Sequence, residues 1–201
     1  MKNIIILEDD FHIAQLMKEK IDELVDYYCN AIYANPIDFF NDPKPAIIFL
    51  VDISMPKMSG LEAIKKILEI YPDSKIIINS IKEDSDTIFK AIQLGAIGYI
   101  DKQSFQIDYQ EVFEAINNDG AYMTPKIARK VMAHFQKKEK SLEKLTKREV
   151  EITYSILDGL SYKLVAERHN IALDSVRSHI KNIYKKLKIN SKSELFNLLK
   201  Q

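Results

Sequence analysis

Little in this chain could cross-link it, anchor it or mark it for export. It holds one cysteine, Cys29, so no internal disulfide can form, and a reducing cytosol is the natural compartment. Cys29 lies in a Tyr/Cys/Ile-rich segment and reads as a small buried hydrophobe rather than a reactive thiol. No apolar run approaches the roughly 18 residues needed to cross a bilayer. The longest, Ala46–Val51, is of strand length. Met1-Lys2-Asn3-Ile4 leads straight into a strand-like segment without a signal-peptide cleavage pattern. No membrane partner is expected, and the expected location is cytoplasmic. Internal repeats and low-complexity tracts are also missing.

Net charge is absent too, but only on average. Residues 1–120 hold 11 Lys and Arg against 21 Asp and Glu, a net of −10, whereas residues 121–201 hold 18 against 8, a net of +10. Such asymmetry predicts two domains with different partners, the acidic half drawing cations and the basic half drawing phosphate polymers.

What is present in the first half is alternation. Apolar runs at Ile4–Leu7, Tyr28–Ala34, Ile47–Val51, Lys75–Asn79 and Ala96–Ile100 read as strands. Each is followed by helical spacing: Ile13 to Leu24, Ile37–Phe40, a helix opened by the capping box Ser59–Glu62, a helix from Asp84 to Leu94 stopped at Gly95, and one over Phe105–Asn118. Five strand-then-helix repeats predict a doubly wound parallel sheet, and the unbroken apolar strands suit burial on both faces. Beyond Gly120 no further strand is evident. Thr124-Pro125 predicts a helix start, with the helix running to Phe135. The charged stretch Gln136–Ser141 reads as a flexible linker end. Four helices follow, opened by the capping box Thr146–Glu149, by Ser161, after the turn Asn170–Ala172, and by Ser191–Glu194.

In an open parallel sheet, sites form beyond the carboxyl ends of the strands. Glu8-Asp9-Asp10, Asp52, Asn79-Ser80 and Asp101-Lys102 all follow strand ends. Clustered carboxylates repel one another unless a divalent cation sits among them, and Mg²⁺ prefers such hard oxygen ligands. A carboxylate can then attack a phosphoryl group, while metal and lysine neutralise its oxygens and a serine hydroxyl bonds to it. Singly these residues carry little weight. An acidic residue after a strand is often a helix N-cap, a role open to Asp10, and an isolated lysine is usually solvated. Joint occurrence at successive strand ends carries the reading.

Three segments give a specific resemblance. Ile4-Ile5-Ile6-Leu7-Glu8-Asp9-Asp10 resembles the start of a bacterial receiver domain. Leu50-Val51-Asp52-Ile53-Ser54-Met55-Pro56-Lys57-Met58-Ser59-Gly60-Leu61-Glu62 resembles its phosphoacceptor segment, and Gly95-Ala96-Ile97-Gly98-Tyr99-Ile100-Asp101-Lys102 its lysine segment. The resemblance implies a (βα)5 flavodoxin-like fold with Asp52 as phosphoacceptor for a sensor histidine kinase. It implies Mg²⁺ held by Glu8, Asp9, Asp52 and the Ser54 backbone carbonyl, with Asp9–Asp10 as the alternative acidic pair. It implies Ser80 as switch hydroxyl, Tyr99 as rotating aromatic and Lys102 as phosphate partner. Two residues depart from the pattern: Ser80 stands where threonine is frequent, and Gln103 where many receivers have proline.

In the second half, Val176, Ile180, Ile183, Tyr184 and Leu187 form an apolar stripe, beside a basic stripe of Arg177, Lys181, Lys185 and Lys188. A short helix, a tight turn and a basic amphipathic helix make a helix-turn-helix pattern that can enter a major groove. Leu145-Thr146-Lys147-Arg148-Glu149-Val150-Glu151, Gly159-Leu160-Ser161, Val165-Ala166-Glu167 and the run Ser175–Leu187 resemble a LuxR-type DNA-binding domain. Receiver followed by this domain resembles the NarL/FixJ group of transcriptional regulators. The resemblance implies base reading by Arg177, Ser178 and Lys181, while the position of Lys185 on the stripe suggests a phosphate contact. His179 matches the motif without a metal set around it. Ala172 stands where the family usually has a helix-capping serine, which leaves Asp174 as a possible cap one turn later.

The expected organisation is a receiver over 1–120, a helical and flexible linker over 121–142, and a helix-turn-helix domain over 143–201. The expected function is a response regulator, not an enzyme, in which phosphorylation of Asp52 drives a homodimer onto promoter DNA. One alternative is a DNA-binding regulator with an unused receiver pocket. Another is an Asp-nucleophile phosphatase of the haloacid-dehalogenase type, which would want a carboxylate where Ser54 stands.

Overall fold

The computed structural model describes residues 1–104 and 107–199, the side chains of 137–140 and 197 excepted. The chain divides into two compact units, Met1–Val131 and Met132–Gln201. Among the described residues no helix is long and apolar enough to cross a membrane.

The first unit is built on strands β1 (Lys2–Leu7), β2 (Tyr27–Tyr33), β3 (Ile48–Val51), β4 (Lys75–Ser80) and β5 (Ala96–Asp101), joined by helices α1 (Phe11–Asp22), α2 (Pro36–Asn41), α3 (Gly60–Ile70) and α4 (Ser85–Gln93), with α5 (Tyr109–Asn117) after β5. A short strand, β6 (Tyr122–Met123), completes a six-stranded sheet of order β2-β1-β3-β4-β5-β6, in which every pairing is parallel. The absence of a strand beyond Gly120 is thus corrected: β6 pairs Gly98 with Tyr122 and Tyr99 with Met123, and two residues are too few to show a period in sequence.

Side chains alternate across the sheet as strand geometry requires. Ile5, Leu7, Phe49, Val51, Ile76, Ile78 and Tyr99 face one core with Phe39 of α2, Ile64 and Ile67 of α3 and Ile88 of α4. Ile4, Ile6, Ile48, Leu50, Ile77 and Ile100 face the other with Met17 and Ile21 of α1 and Val112, Phe113 and Ile116 of α5. Full burial of each such side chain contributes about 1.5–3 kcal/mol, so both faces carry the fold. Cys29 is buried in the second core. The α3 capping box forms as expected, and α4 starts on Asp84, whose side chain accepts from the Thr87 N–H. The expected start of the fifth helix at Phe105 falls outside the described residues, and its first described turn begins at Tyr109.

Helix α6 (Pro125–Leu142) starts at the expected proline. It runs past Phe135 through the charged stretch expected to be flexible, because Gln, Lys and Glu are intrinsically good helix formers even without an apolar face. The second unit continues with α7 (Lys147–Leu157), α8 (Tyr162–His169), α9 (Leu173–Leu187) and α10 (Lys192–Leu199). Ile152, Ile156, Val165, Val176, Ile180, Ile183 and Leu195 form its core. The Thr146–Glu149 capping box opens α7, and Ser161 caps α8. At α10, Ser191 Oγ accepts from the Glu194 N–H at 3.1 Å, whereas the Glu194 carboxylate accepts from the Asn190 N–H at 3.1 Å.

Candidate functional site

The register of the sheet brings the ends of four strands level: Leu7 pairs with Val51, Val51 with Ile78, and Ser80 with Asp101. Glu8, Asp52, Ser80 and Lys102 therefore meet at one edge. Glu8 and Asp52 are buried, while Asp9 is exposed. The Lys102 ammonium sits between them, 2.6 Å from Glu8 Oε2 and 2.8 Å from Asp52 Oδ2. The Ile53 N–H donates to the other Asp52 oxygen at 2.6 Å. Burial pushes the Glu8 carboxyl above its ordinary range, opposed by the Lys102 ammonium. For Lys102, burial works against the charge, but its hydrogen bonds to Asp52 and Glu8 prevail and raise its pKa.

Glu8, Asp9 and Asp52 each offer a carboxylate oxygen, all within 4.8 Å of one another. This hard-oxygen set fits Mg²⁺. Asp10 is placed differently: it is the N-cap of α1 and accepts from the His12 and Ile13 N–H groups at 2.9 and 3.1 Å. Ser54 is exposed in the loop between Asp52 and α3. That loop closes on Gly60, whose N–H donates to the Ile53 carbonyl at 3.0 Å. A Cβ on Gly60 would lie 1.9 Å from the Asp52 carbonyl oxygen, so only glycine allows this approach.

Ser80 and Tyr99 are fully buried. They converge on one residue: the Lys82 N–H donates to Ser80 Oγ at 3.3 Å, and the Tyr99 hydroxyl donates to the Lys82 carbonyl. At the Gln103 departure, the Gln103 N–H donates to Asp101 Oδ1 at 2.9 Å, a bond that proline could not make. The loop is thus held by a hydrogen bond where many receivers have a ring.

Sequence reasoning missed the residues behind the pocket. Asp101 is buried and turned toward α6, where Lys126 Nζ lies 3.2 Å away. Lys126 also pairs with Glu83 at 2.5 Å, and Lys130 pairs with Glu83 at 3.2 Å. These partners stand far apart in sequence and leave no local signal.

In the second unit, α8 ends at Asn170 in the left-handed region, φ 50°, and the turn delivers α9. Arg177, Ser178, Lys181, Lys185 and Lys188 are exposed, His179 is half-buried, and Val176, Ile180, Ile183 and Leu187 are buried. The Arg177 guanidinium pairs with Asp174 at 3.0 Å, and the Ser178 hydroxyl donates to the Asp174 carbonyl at 3.0 Å. Asp174 does not cap a shortened helix. The helix begins at Leu173 behind Ala172, whose methyl side chain can make no cap bond, and the Asp174 carboxylate is turned along the helix to Arg177. Lys186 fixes the end of α9 to Glu149 in the capping box of α7 at 2.6 Å. Arg148 donates to the His169 carbonyl at 2.7 Å, satisfying an end of α8.

Residues 4–117 match the model of the response regulator receiver domain, and residues 143–199 match that of the bacterial regulatory proteins of the luxR family. The transcriptional regulatory protein LiaR of Bacillus subtilis is 32% identical over 150 residues, covering 73% of this chain and 71% of that protein. The transcriptional regulatory protein DegU of Brevibacillus brevis is 28% identical over 178 residues, covering 80% and 75%. Among solved structures, RcsB of Salmonella enterica serovar Typhimurium, bound to a promoter in the presence of the phosphomimetic BeF3⁻, shares the fold with a TM-score of 0.62 at 18% identity, over 98% of this chain and 97% of that one. The chain belongs to the response regulators that join a receiver domain to a LuxR-type DNA-binding domain.

Proposed function

We propose that the protein is a cytoplasmic transcriptional regulator switched by phosphorylation of Asp52. The observation that carries this reading is the buried Lys102 bridge between Glu8 and Asp52, beside a carboxylate set sized for one cation. Asp52 is the nucleophile: one of its oxygens bonds to phosphorus as the phosphohistidine N–P bond of a sensor kinase breaks. Glu8, Asp9, Asp52 and the Ser54 carbonyl hold Mg²⁺. When bound, the metal supplies charge neutralisation on the phosphoryl oxygens. Lys102 is already poised at Asp52 and turns its ammonium to a phosphoryl oxygen. Ser80 donates its hydroxyl to another, giving up its bond from Lys82, and Tyr99 follows the loop. The expected spans stand as part of this reading: a receiver over 1–120, a connector over 121–142 and a DNA-binding domain over 143–201.

In the second domain, Arg177, Ser178 and Lys181 read base edges and Lys185 meets phosphate, all on the exposed face of α9. LiaR and DegU are named as transcriptional regulators, and RcsB was solved on a promoter, which supports DNA as the partner here. A phosphorylated homodimer presents two recognition helices to half-sites about 34 Å apart.

Intact mass with and without acetyl phosphate and Mg²⁺ tests the reading, followed by sizing and DNA binding of the same samples. One added phosphoryl group, lost in Asp52→Asn, with dimer formation and tighter DNA binding is the expected result. An unmodified chain that binds DNA equally well in all samples sinks it.

A further inference from the structure

Phosphorylation at one end of a sheet has to be felt elsewhere to be useful. In the first unit the pocket is tied to the opening turns of α6 by two short routes. One runs through the β4–α4 loop. Ser80 and Tyr99 hold both backbone groups of Lys82, and the next residue, Glu83, carries the ionic attachment. Its carboxylate is shared by Lys126 and Lys130, at 2.5 and 3.2 Å, and Lys130 also donates to the Glu83 carbonyl at 2.7 Å. The second route runs through β5. Lys102 enters the pocket while its neighbour Asp101, 4% exposed at the side chain, takes Lys126 at 3.2 Å. Consecutive residues therefore attach to the phosphoacceptor and to α6.

This is more than a surface ion pair. An isolated exposed pair contributes little, whereas here two ammonium groups one helical turn apart share the Glu83 carboxylate, and one of them, Lys126, also reaches the buried Asp101. The turn that carries them is anchored by Ile127, fully buried in the core, and by Val131 packed against it. The opening of α6 thus has a fixed apolar anchor and a separate ionic clasp.

We infer that the Glu83–Lys126–Lys130 clasp, backed by Asp101, is the receiver's output contact: it is closed on α6 in the unphosphorylated chain and opens when the Asp52 pocket is filled. The inference rests on the phosphoacceptor reading above. When Ser80 turns its hydroxyl to the phosphoryl group, the Lys82 N–H loses its acceptor and the loop residue beside it shifts. Glu83 cannot then keep its carboxylate and its carbonyl on the two lysines at once. Lys102 moves in the same event, and Asp101 is joined to it by one peptide bond. Coupling of this kind is reciprocal, so a chain with the clasp cut fills its pocket more readily.

The full chain is followed by amide hydrogen exchange over residues 128–131, titrated with beryllofluoride and Mg²⁺ as an equilibrium stand-in for the phosphoryl group. Filling the pocket of the parent chain is expected to speed exchange there. Glu83→Gln and, independently, Lys130→Met are expected to exchange fast without beryllofluoride. Both should bind it about fivefold more tightly, at the lower end of ordinary allosteric coupling. If the parent binds beryllofluoride, detected as bound fluoride by ¹⁹F NMR, yet exchange over 128–131 stays unchanged, the clasp is not the output contact and the phosphoacceptor reading survives. The clasp is likewise ruled out, with the phosphoacceptor reading intact, if both variants match the parent in exchange and affinity. If the parent binds no beryllofluoride at all, the phosphoacceptor reading falls and the clasp inference falls with it.

Discussion

The two units put the side chains proposed to do their work in opposite surroundings. In the first, Glu8 and Lys102 side chains are 2% and 8% exposed and bonded to one another, whereas in the second the Arg177 side chain is 64% exposed and pairs with the exposed Asp174. The difference follows from the tasks. Phosphoryl transfer gains from charges fixed beforehand in a dry site, where they need no rearrangement as the reaction proceeds. Groove reading needs side chains free to meet base edges, and the duplex itself supplies the desolvation. A change in the first unit should therefore act as a switch, and one in the second as a dial.

The largest break in that comparison is expected at Gly60. A Cβ there meets the Asp52 carbonyl at 1.9 Å and Ile53 Cα at 2.9 Å, and both are backbone atoms that cannot rotate away. Gly60→Ala should cost about 3 kcal/mol by denaturant unfolding, with phosphoryl uptake falling in parallel. A variant as stable and as readily phosphorylated as the parent would show the pocket to be more pliant than its contacts imply. Next comes the dial. Arg177→Ala should lose about 1–3 kcal/mol of discrimination at one base pair in a binding titration across substituted sites. Lys185→Ala should instead weaken all sequences alike and lower the salt slope by about 1. Phosphoryl uptake should be unaffected in both, and equal losses at matched and mismatched sites for Arg177→Ala would remove it from base reading.

Glu149 sharpens the comparison, because it is a buried carboxylate inside the exposed-charge unit. Burial opposes its ionisation, yet Lys186 and the Thr146 N–H and hydroxyl outweigh burial and hold its pKa below the ordinary glutamate value. A carboxyl lowered in the folded state stabilises above its ordinary range and loses that contribution as pH falls through the folded value. Glu149→Gln should cost the second unit about 1–2 kcal/mol near neutrality, and the variant and parent unfolding curves should converge in acid. A deficit that stays constant with pH would assign the loss to packing rather than charge. The smallest effect is expected at Ala172→Ser, which gives α9 the cap it lacks and should raise stability by about 1 kcal/mol, read as a shift in the unfolding midpoint of the second unit.

The strands of the first unit were legible in sequence because burial on both faces leaves unbroken apolar runs, as at Ile48–Val51 and Ile76–Ile78. Helix starts were legible because capping is local chemistry within four residues, and both the Ser59–Glu62 and Thr146–Glu149 boxes are formed. Expectations failed where the deciding contact was distant or too short to leave a pattern. β6 exists only by pairing with β5. Asp10, by contrast, takes the α1 cap, the role that its place after β1 had left open to it. Asp101 and Glu83 reveal their partners only when α6 is in place.

The lone thiol of Cys29 has a practical consequence. Burial pushes its pKa up to about 11, so only roughly one molecule in ten thousand carries the thiolate at pH 7. Alkylating dyes should pass over the native chain. A single cysteine placed on an exposed turn would then take a fluorophore cleanly, with no background cysteine to remove first.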